Sequence, residues 1–372
     1  MIKHTLLIVL ILSVALSCQN QKQKNHMPNF SYSIFIGTYT DTDSKGIYKL
    51  EMDETGKFKN LSLQAETENP SFLTFANKGK TLVAVNEINS FNGSGSVESY
   101  QIGDSLKLIS RESSGGAHPC FVTANDDGLV LTANYTGGNT GLLKVDKSGK
   151  LTELLDVNQH EGSGTIKGRQ DNPHAHSVRF QPNSDMIIAV DLGTNELWIS
   201  KINEDEFIST VDNRFPLPDG AGPRHLAFHL NGKYLYVINE LDNTISTVNI
   251  IDNGYEMTSN ISTLPADFEG TSYTADIHIS VDGKFLYGSN RGHNSIVIYE
   301  VSDNGNLSLV GHELTRGDHP RNFSLSPDGK YLLVANQNTN NLVCFSRDEK
   351  TGLLTFVDEI KAPKPVCILF EK

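Results

Sequence analysis

Cysteine is scarce in this chain: there are four, and only Cys120, Cys344 and Cys367 lie beyond residue 18. An odd number, each inside a stretch that reads as a strand, excludes a disulfide framework and points to buried single thiols. A body of this length has core enough to fold without such staples. Positive charge is also in deficit. With 31 Lys and Arg against 44 Asp and Glu, the net charge of −13 at pH 7 excludes a surface that tracks nucleic-acid phosphates. It does not bear on a small anion, because a local cluster of arginines can oppose the global field. Amphipathic helical stretches of useful length are lacking. So are the Gly-x-Ser-x-Gly elbow and the His-Glu-x-x-His zinc signature. The apolar run from Thr5 to Leu16 is too short to span a bilayer comfortably.

What the chain repeats is one phrase: an apolar strand, a turn, a second apolar strand, then a polar residue, usually Asn. HPCFVTANDDGLVLTANY and PRHLAFHLNGKYLYVINE are two of the copies. With Thr38, Asn86, Asn134, Asp191, Asn239, Asn290 and Asn336 as equivalent positions, the intervals are 48, 48, 57, 48, 51 and 46 residues. A unit of that length built from strand pairs is a propeller blade. Residues 30–372 supply 343 positions, 49 for each of seven units, and leave no second domain. The expected fold is all-β: a seven-bladed propeller of four-stranded antiparallel blades.

β-Branched and aromatic residues dominate the apolar runs, and Gly, Asn or Asp punctuates them. Pro327-Asp328-Gly329-Lys330 carries the turn chemistry, with Pro fixing φ and Gly accepting φ > 0. SYSIFIGTY near the start holds only the second strand of the phrase, and KPVCILFE at the end only the first. The last strand is therefore expected to pair with the first, closing the ring and removing open edges. A ring closed in this way has no edge that demands a partner.

Before the propeller, Lys3 and His4 precede the apolar run, which ends at Ser17-Cys18. These are the flanks of a secretory signal, and Ala15-Leu16-Ser17-Cys18 resembles a bacterial lipobox. The expected organisation is a lipoprotein-type signal over residues 1–18, a polar tether over 19–29 and the propeller over 30–372. Cys18 is the expected lipidation site, exposing the protein at the cell envelope, periplasm-facing, with no other attachment to a membrane.

Each phrase is a hairpin, so its first and last residues meet at the end opposite the turn. Arg224 lies eight residues before Gly232 and Glu240 eight after it, roughly 26 Å at about 3.3 Å per residue. The same count pairs His118 with Asn134, His176 with Asp191 and Arg321 with Asn336, while Arg291 follows Asn290. The first strand of each phrase should line the channel, so these groups converge on one mouth. The recurring Asn reads as a cap on loop backbone, His225 and His278 as satisfied core or channel groups, and Arg224 with Glu240 also as a blade-to-blade salt bridge. Against a structural role alone, Arg224, Arg291, Glu240 and His176 break the repeat, whereas a purely structural device would recur in every copy.

Asn172-Pro173-His174-Ala175-His176, Gly222-Pro223-Arg224-His225, Asn239-Glu240, Ser289-Asn290-Arg291-Gly292 and Pro320-Arg321-Asn322-Phe323, in that order, resemble the lactonase family of seven-bladed propellers. That family includes the propeller-type 6-phosphogluconolactonases and the carboxy-cis,cis-muconate lactonising enzymes. The resemblance implies a pocket with a His, two Arg and a Glu, matching His176, Arg224, Glu240 and Arg291, and no metal or organic cofactor. It implies a small-molecule lactone as substrate, opened or closed in the pocket; for hydrolysis, the needs of water attack and oxyanion formation assign Glu240 or His176 as general base and Arg224 to the oxyanion or carboxylate product. Arg291 would grip a phosphate or carboxylate, with His118, His174, Arg321, Asn134 and Asn336 as further substrate contacts. His174 and His176, two apart, lack a third ligand at metal-site spacing. Two other readings stay open: a lactone-forming cyclase, and a non-enzymatic binding propeller, because Tyr236-Val237-Ile238-Asn239 resembles a YVTN-type repeat.

Overall fold

The structure, a computed structural model, describes residues 30–252 and 254–371. The expected signal and tether, with Cys18, lie outside the described residues. These form seven four-stranded antiparallel sheets. Six sheets take four consecutive strands. The seventh joins Phe30–Thr38 to the C-terminal strand Pro365–Phe370, with pairs running from Ile34↔Phe370 to Thr38↔Pro365. The ring therefore closes as the split phrase requires.

Burial explains the alternation of character along each blade. The second strands are almost wholly buried, as in Tyr234–Asn239 and Tyr331–Asn336, whereas outer strands such as Phe58–Glu66 are largely exposed or half-buried. Apolar side chains pack between adjacent blades. Ile34, Leu50, Leu333 and Leu342 do so where the first and last blades meet, each contributing about 1.5–3 kcal/mol by leaving water. Cys120, Cys344 and Cys367 are free and buried. In the turn after Phe228, Gly232 takes φ +70 and Lys233 N–H donates to Asn231 Oδ1 at 2.9 Å. The inner strand Pro223–Phe228 has six residues, roughly 20 Å at about 3.3 Å each. This is shorter than the sequence count suggested, because the phrase spends its remaining residues on the turn.

A second repeat lies inside the inner strands. In each, one residue near the start is left over when the strand pairs with its neighbour. Pro119↔Asn134 is followed by Phe121↔Ala133, Ala175↔Asp191 by Ser177↔Val190, Pro223↔Asn239 by His225↔Ile238, and Pro320↔Asn336 by Asn322↔Ala335. The surplus residues are Cys120, His176, Arg224 and Arg321. A bulge of this kind breaks the alternation of a strand and re-aims one side chain. Before the bulge, Asn69, His118, Gly222, His319 and Lys364 all hold positive φ immediately ahead of a proline. Four of these are not glycine, and positive φ is costly for them. The rim that carries them is built to one pattern.

Candidate active site

At the rim where the phrases begin and end, a cavity of about 220 Å³ is lined by Tyr39, Glu87, Cys120, Tyr135, His176, Glu240, Arg291 and Arg321. Two structural positions supply all eight. Cys120, His176 and Arg321 are bulge residues. Tyr39, Glu87, Tyr135, Glu240 and Arg291 each directly follow a member of the recurring buried set Thr38, Asn86, Asn134, Asn239 and Asn290, all 0% exposed. The recurring residue anchors the loop, and its successor is presented to the pocket.

Glu240 is the electrostatic centre. Its Oε2 accepts from Arg224 Nε at 3.0 Å and Arg291 Nη2 at 2.8 Å, and its Oε1 accepts from Arg169 Nη2 at 2.5 Å. Burial alone would push its carboxyl up. The charges of Arg291, Arg224 and Arg169 overcome this and hold it well below the usual carboxylate range. Arg224, 2% exposed, also donates Nη1 to the Ala275 carbonyl. Burial, then Arg291 and Arg321, bring its pKa down to about 10, so it stays charged at neutral pH.

Beneath Arg224 the channel continues the network. His225 Nδ1 meets Asp276 Oδ1 at 2.8 Å and its Nε2 lies 3.3 Å from Arg224 Nη1. Burial and the Arg224 charge depress His225 to about 4, so it is a neutral ring. Donation from Nδ1 to the carboxylate leaves Nε2 as acceptor for Arg224.

His176 lies in the pocket wall with Nδ1 3.4 Å from Cys120 Sγ. Burial, then the charge of Arg224, coupling to the neighbouring His225 and the charge of Arg321, hold its pKa well below the ordinary histidine value. Burial pushes the Cys120 thiol far up, and Glu87 adds to it. The pair is a neutral imidazole and a neutral thiol, the opposite of an activated cysteine nucleophile.

Arg321 differs from the other three arginines. Among the described residues its guanidinium donates to no protein acceptor and meets no carboxylate within salt-bridge distance. It lies over the Tyr39 ring at 5.3 Å from the centroid. Tyr39 Oη donates instead to Glu87 Oε2 at 2.8 Å. Four guanidinium groups against two carboxylates leave this rim positive on a protein of net charge −13.

The structure brings His176, Glu240, Arg291 and Arg321 together, with Arg224 behind them. It does not bring in Asn134 or Asn336. Both are 0% exposed, with Nδ2 donating to the Ser114 carbonyl at 2.9 Å and the Thr315 carbonyl at 3.0 Å. They are loop anchors with no surface left for a substrate. His118 turns Nδ1 to Thr136 Oγ1 at 2.9 Å, and His174 stacks on Tyr135 at 4.4 Å and 11°. His174 thus steadies a pocket wall instead of forming one. Tyr39, Glu87, Cys120, Tyr135 and Arg169 are additions. Asn86-Glu87 repeats Asn239-Glu240, a signal present in the sequence. Arg169 lies in the 57-residue interval, the longest of the six, whose excess forms a loop pinned by Gln170 Nε2 to the Leu192 carbonyl at 2.8 Å.

Comparison with known proteins agrees with this geometry. The sequence profile of the family described as "Lactonase, 7-bladed beta-propeller" matches residues 33–370. A 6-phosphogluconolactonase of Bacillus subtilis is 35% identical over 348 residues, covering 91% of this chain and 98% of the relative. One of Formosa agariphila is 37% identical over 334 residues, covering 86% and 94%. The solved structure of the Pseudomonas aeruginosa periplasmic gluconolactonase PpgL superimposes with a TM-score of 0.87 at 30% identity, covering 92% of this chain and 99% of that one. The fold, the full-length matches and the ordered rim motifs agree, and the chain belongs to the lactonase family of seven-bladed β-propellers.

Proposed function

We propose that this protein hydrolyses a sugar-acid lactone in the rim pocket, and that its substrate is an unphosphorylated aldonolactone. The observation that carries the reading is the pairing of one unspent guanidinium, Arg321, with one neutral imidazole, His176, in a cavity of about 220 Å³. Lactone opening needs an attacking water, a base for its proton and a cation for the oxygen that becomes negative. His176 accepts the proton of the water as it adds to C1. Arg321, with Arg291 beside it, holds the oxyanion. Collapse breaks the bond from C1 to the ring oxygen, which takes up a proton and leaves as a hydroxyl, while C1 becomes a carboxylate. Glu240 acts as the fixed counter-charge that keeps Arg224 and Arg291 in place, not as the base.

Names among the relatives support both phosphorylated and unphosphorylated lactones. A single unspent cation suits one developing negative charge better than a phosphate dianion as well. Export, with a lipid on Cys18, would likewise separate the protein from cytoplasmic sugar phosphates. A non-enzymatic binding propeller has no need to bring symmetry-breaking charges together, and Glu240, Arg291 and Arg321 line one cavity here.

The test is proton release from gluconolactone and its 6-phosphate at mildly acidic pH, where spontaneous opening is slow, using a soluble chain beginning at Gln19. Turnover of gluconolactone that Arg321→Gln loses supports the reading. Exclusive turnover of the phosphate ester would overturn the substrate assignment, and silence on both would overturn the activity.

A further inference from the structure

The channel has a second end, where the hairpins turn, and it is not part of the lactone pocket. There the inner strands of three neighbouring blades, Ala175–Phe180, Pro223–Phe228 and Tyr273–Ile279, line an open cavity of about 190 Å³. Its wall includes Arg179, Ala227, Phe228, His278 and Ile279.

Arg179 is the unusual member. Its Nε is buried without a hydrogen-bond partner, and among the described residues none of its N–H groups donates to the protein. Its guanidinium lies over the Phe121 ring, 5.0 Å from the centroid. Asp276 acts on it electrostatically but forms no salt bridge with it. The Asp276 oxygens already accept from His225 Nδ1, the Ile277 amide, His278 Nε2 and Asn322 Nδ2, at 2.6–3.0 Å. An acceptor so fully engaged cannot serve Arg179 as well. A guanidinium carries five donors in a planar fork that fits a carboxylate; Arg179 is half-buried, and its orphaned Nε is costly to leave unpaired.

We propose that this cavity is a binding site for a small organic carboxylate. The Arg179 fork holds its two oxygens, and Ala227, Phe228 and Ile279 pack against its apolar body. The apolar share of the wall selects against a bare inorganic ion, which would leave those surfaces in contact with nothing but water. Burial draws the Arg179 pKa below its ordinary value, in keeping with a cation that lacks its counter-charge.

Isothermal titration of the full chain with benzoate, and separately with inorganic phosphate, tests this. The expected result is saturable one-to-one binding of benzoate, with phosphate weaker. Arg179→Gln should reduce benzoate affinity by roughly tenfold or more, the scale of losing charge-assisted hydrogen bonds. Arg321→Gln, which removes the free cation at the other end, should leave it unchanged. Ala227→Leu fills the cavity while keeping Arg179, and should weaken binding even if Arg179→Gln does not fold. No saturable binding, phosphate equal to or better than benzoate, or loss of binding in Arg321→Gln alone would each overturn the proposal.

Discussion

Arg224 Nε donates to Glu240 Oε2 at 3.0 Å within a wall where both groups are buried, and in the mechanism proposed above Glu240 is the counter-charge of this wall. A carboxylate paired with three guanidinium groups is held ionised and is a poor base. Removing one partner of a buried ion pair costs about 3–5 kcal/mol, because the other charges remain buried and uncompensated. Glu240→Gln is therefore expected to lower the unfolding free energy by about that amount in denaturant titration. Arg321→Gln breaks no ion pair and should stay within about 1 kcal/mol of the parent, yet lose turnover roughly 100-fold or more, the scale of a lost oxyanion donor. Parental stability in Glu240→Gln, combined with lost turnover, would return Glu240 to a chemical role.

With His176 as the proposed base, its neutral state sets the pH dependence. Burial and the charges of Arg224 and Arg321 oppose its protonation, as does coupling to His225. It should therefore remain a usable base as pH falls through about 6.5, where an unperturbed histidine would lose that role. The pH profile of kcat/KM is expected to be flat across that value and to fall only at lower pH. In the residual activity of Arg321→Gln, the acid limb should move to higher pH, because one of the opposing charges is gone. A wild-type acid limb centred near 6.5 would show that His176 is not the base.

The blade count and ring closure were legible because a hairpin repeats its hydrophobic pattern and its turn residues at near-constant intervals. His176, Arg224, Glu240 and Arg291 stood out because they break that pattern. The bulge was not legible. Nothing in Pro119-Cys120-Phe121 announces that Cys120 has no cross-strand partner, since the extra residue shows only when the two strands are paired. For the same reason the charge balance was hidden: Arg291 and Arg321 look alike in sequence, but Arg291 gives its Nη2 to Glu240 and the Thr274 carbonyl while its Nε stays buried without a partner. Asn134 and Asn336 share the rim with the pocket residues, but burial removes them from it. Arg169 lay in the longest interval, where length signals an insertion without saying which residue it delivers.

Arg169 gives a third test. It is the most exposed of the Glu240 partners, with 36% of its side chain accessible, and it reaches the pocket from a loop held by Gln170, not by Arg169 itself. Arg169→Ala should leave thermal stability close to the parent. Loss of this contact to Glu240 is expected to raise KM by roughly tenfold with a smaller effect on kcat, the signature of weakened ground-state and transition-state binding alike. A collapse of kcat at unchanged KM would instead make Arg169 a partner of the transition state.

His225 links the channel to acid stability. In the folded chain its pKa is about 4, and in the unfolded chain about 6.5. Above both values neither state binds the proton and the residue contributes no pH dependence. Between them the unfolded chain takes up a proton that the folded chain refuses, so stability falls as pH drops through this window, by up to roughly 3 kcal/mol. His176 and His319 are depressed as well, and they steepen the same limb. His225→Gln loses the Asp276 contact and should be less stable at neutral pH. It should also show a shallower decline toward acid, with the slope reduced by close to one proton. Denaturant titrations at a series of pH values measure both. An unchanged slope would mean that His225 is protonated in the folded protein, which would remove its Nε2 as an acceptor for Arg224 and with it the account of how Arg224 is held.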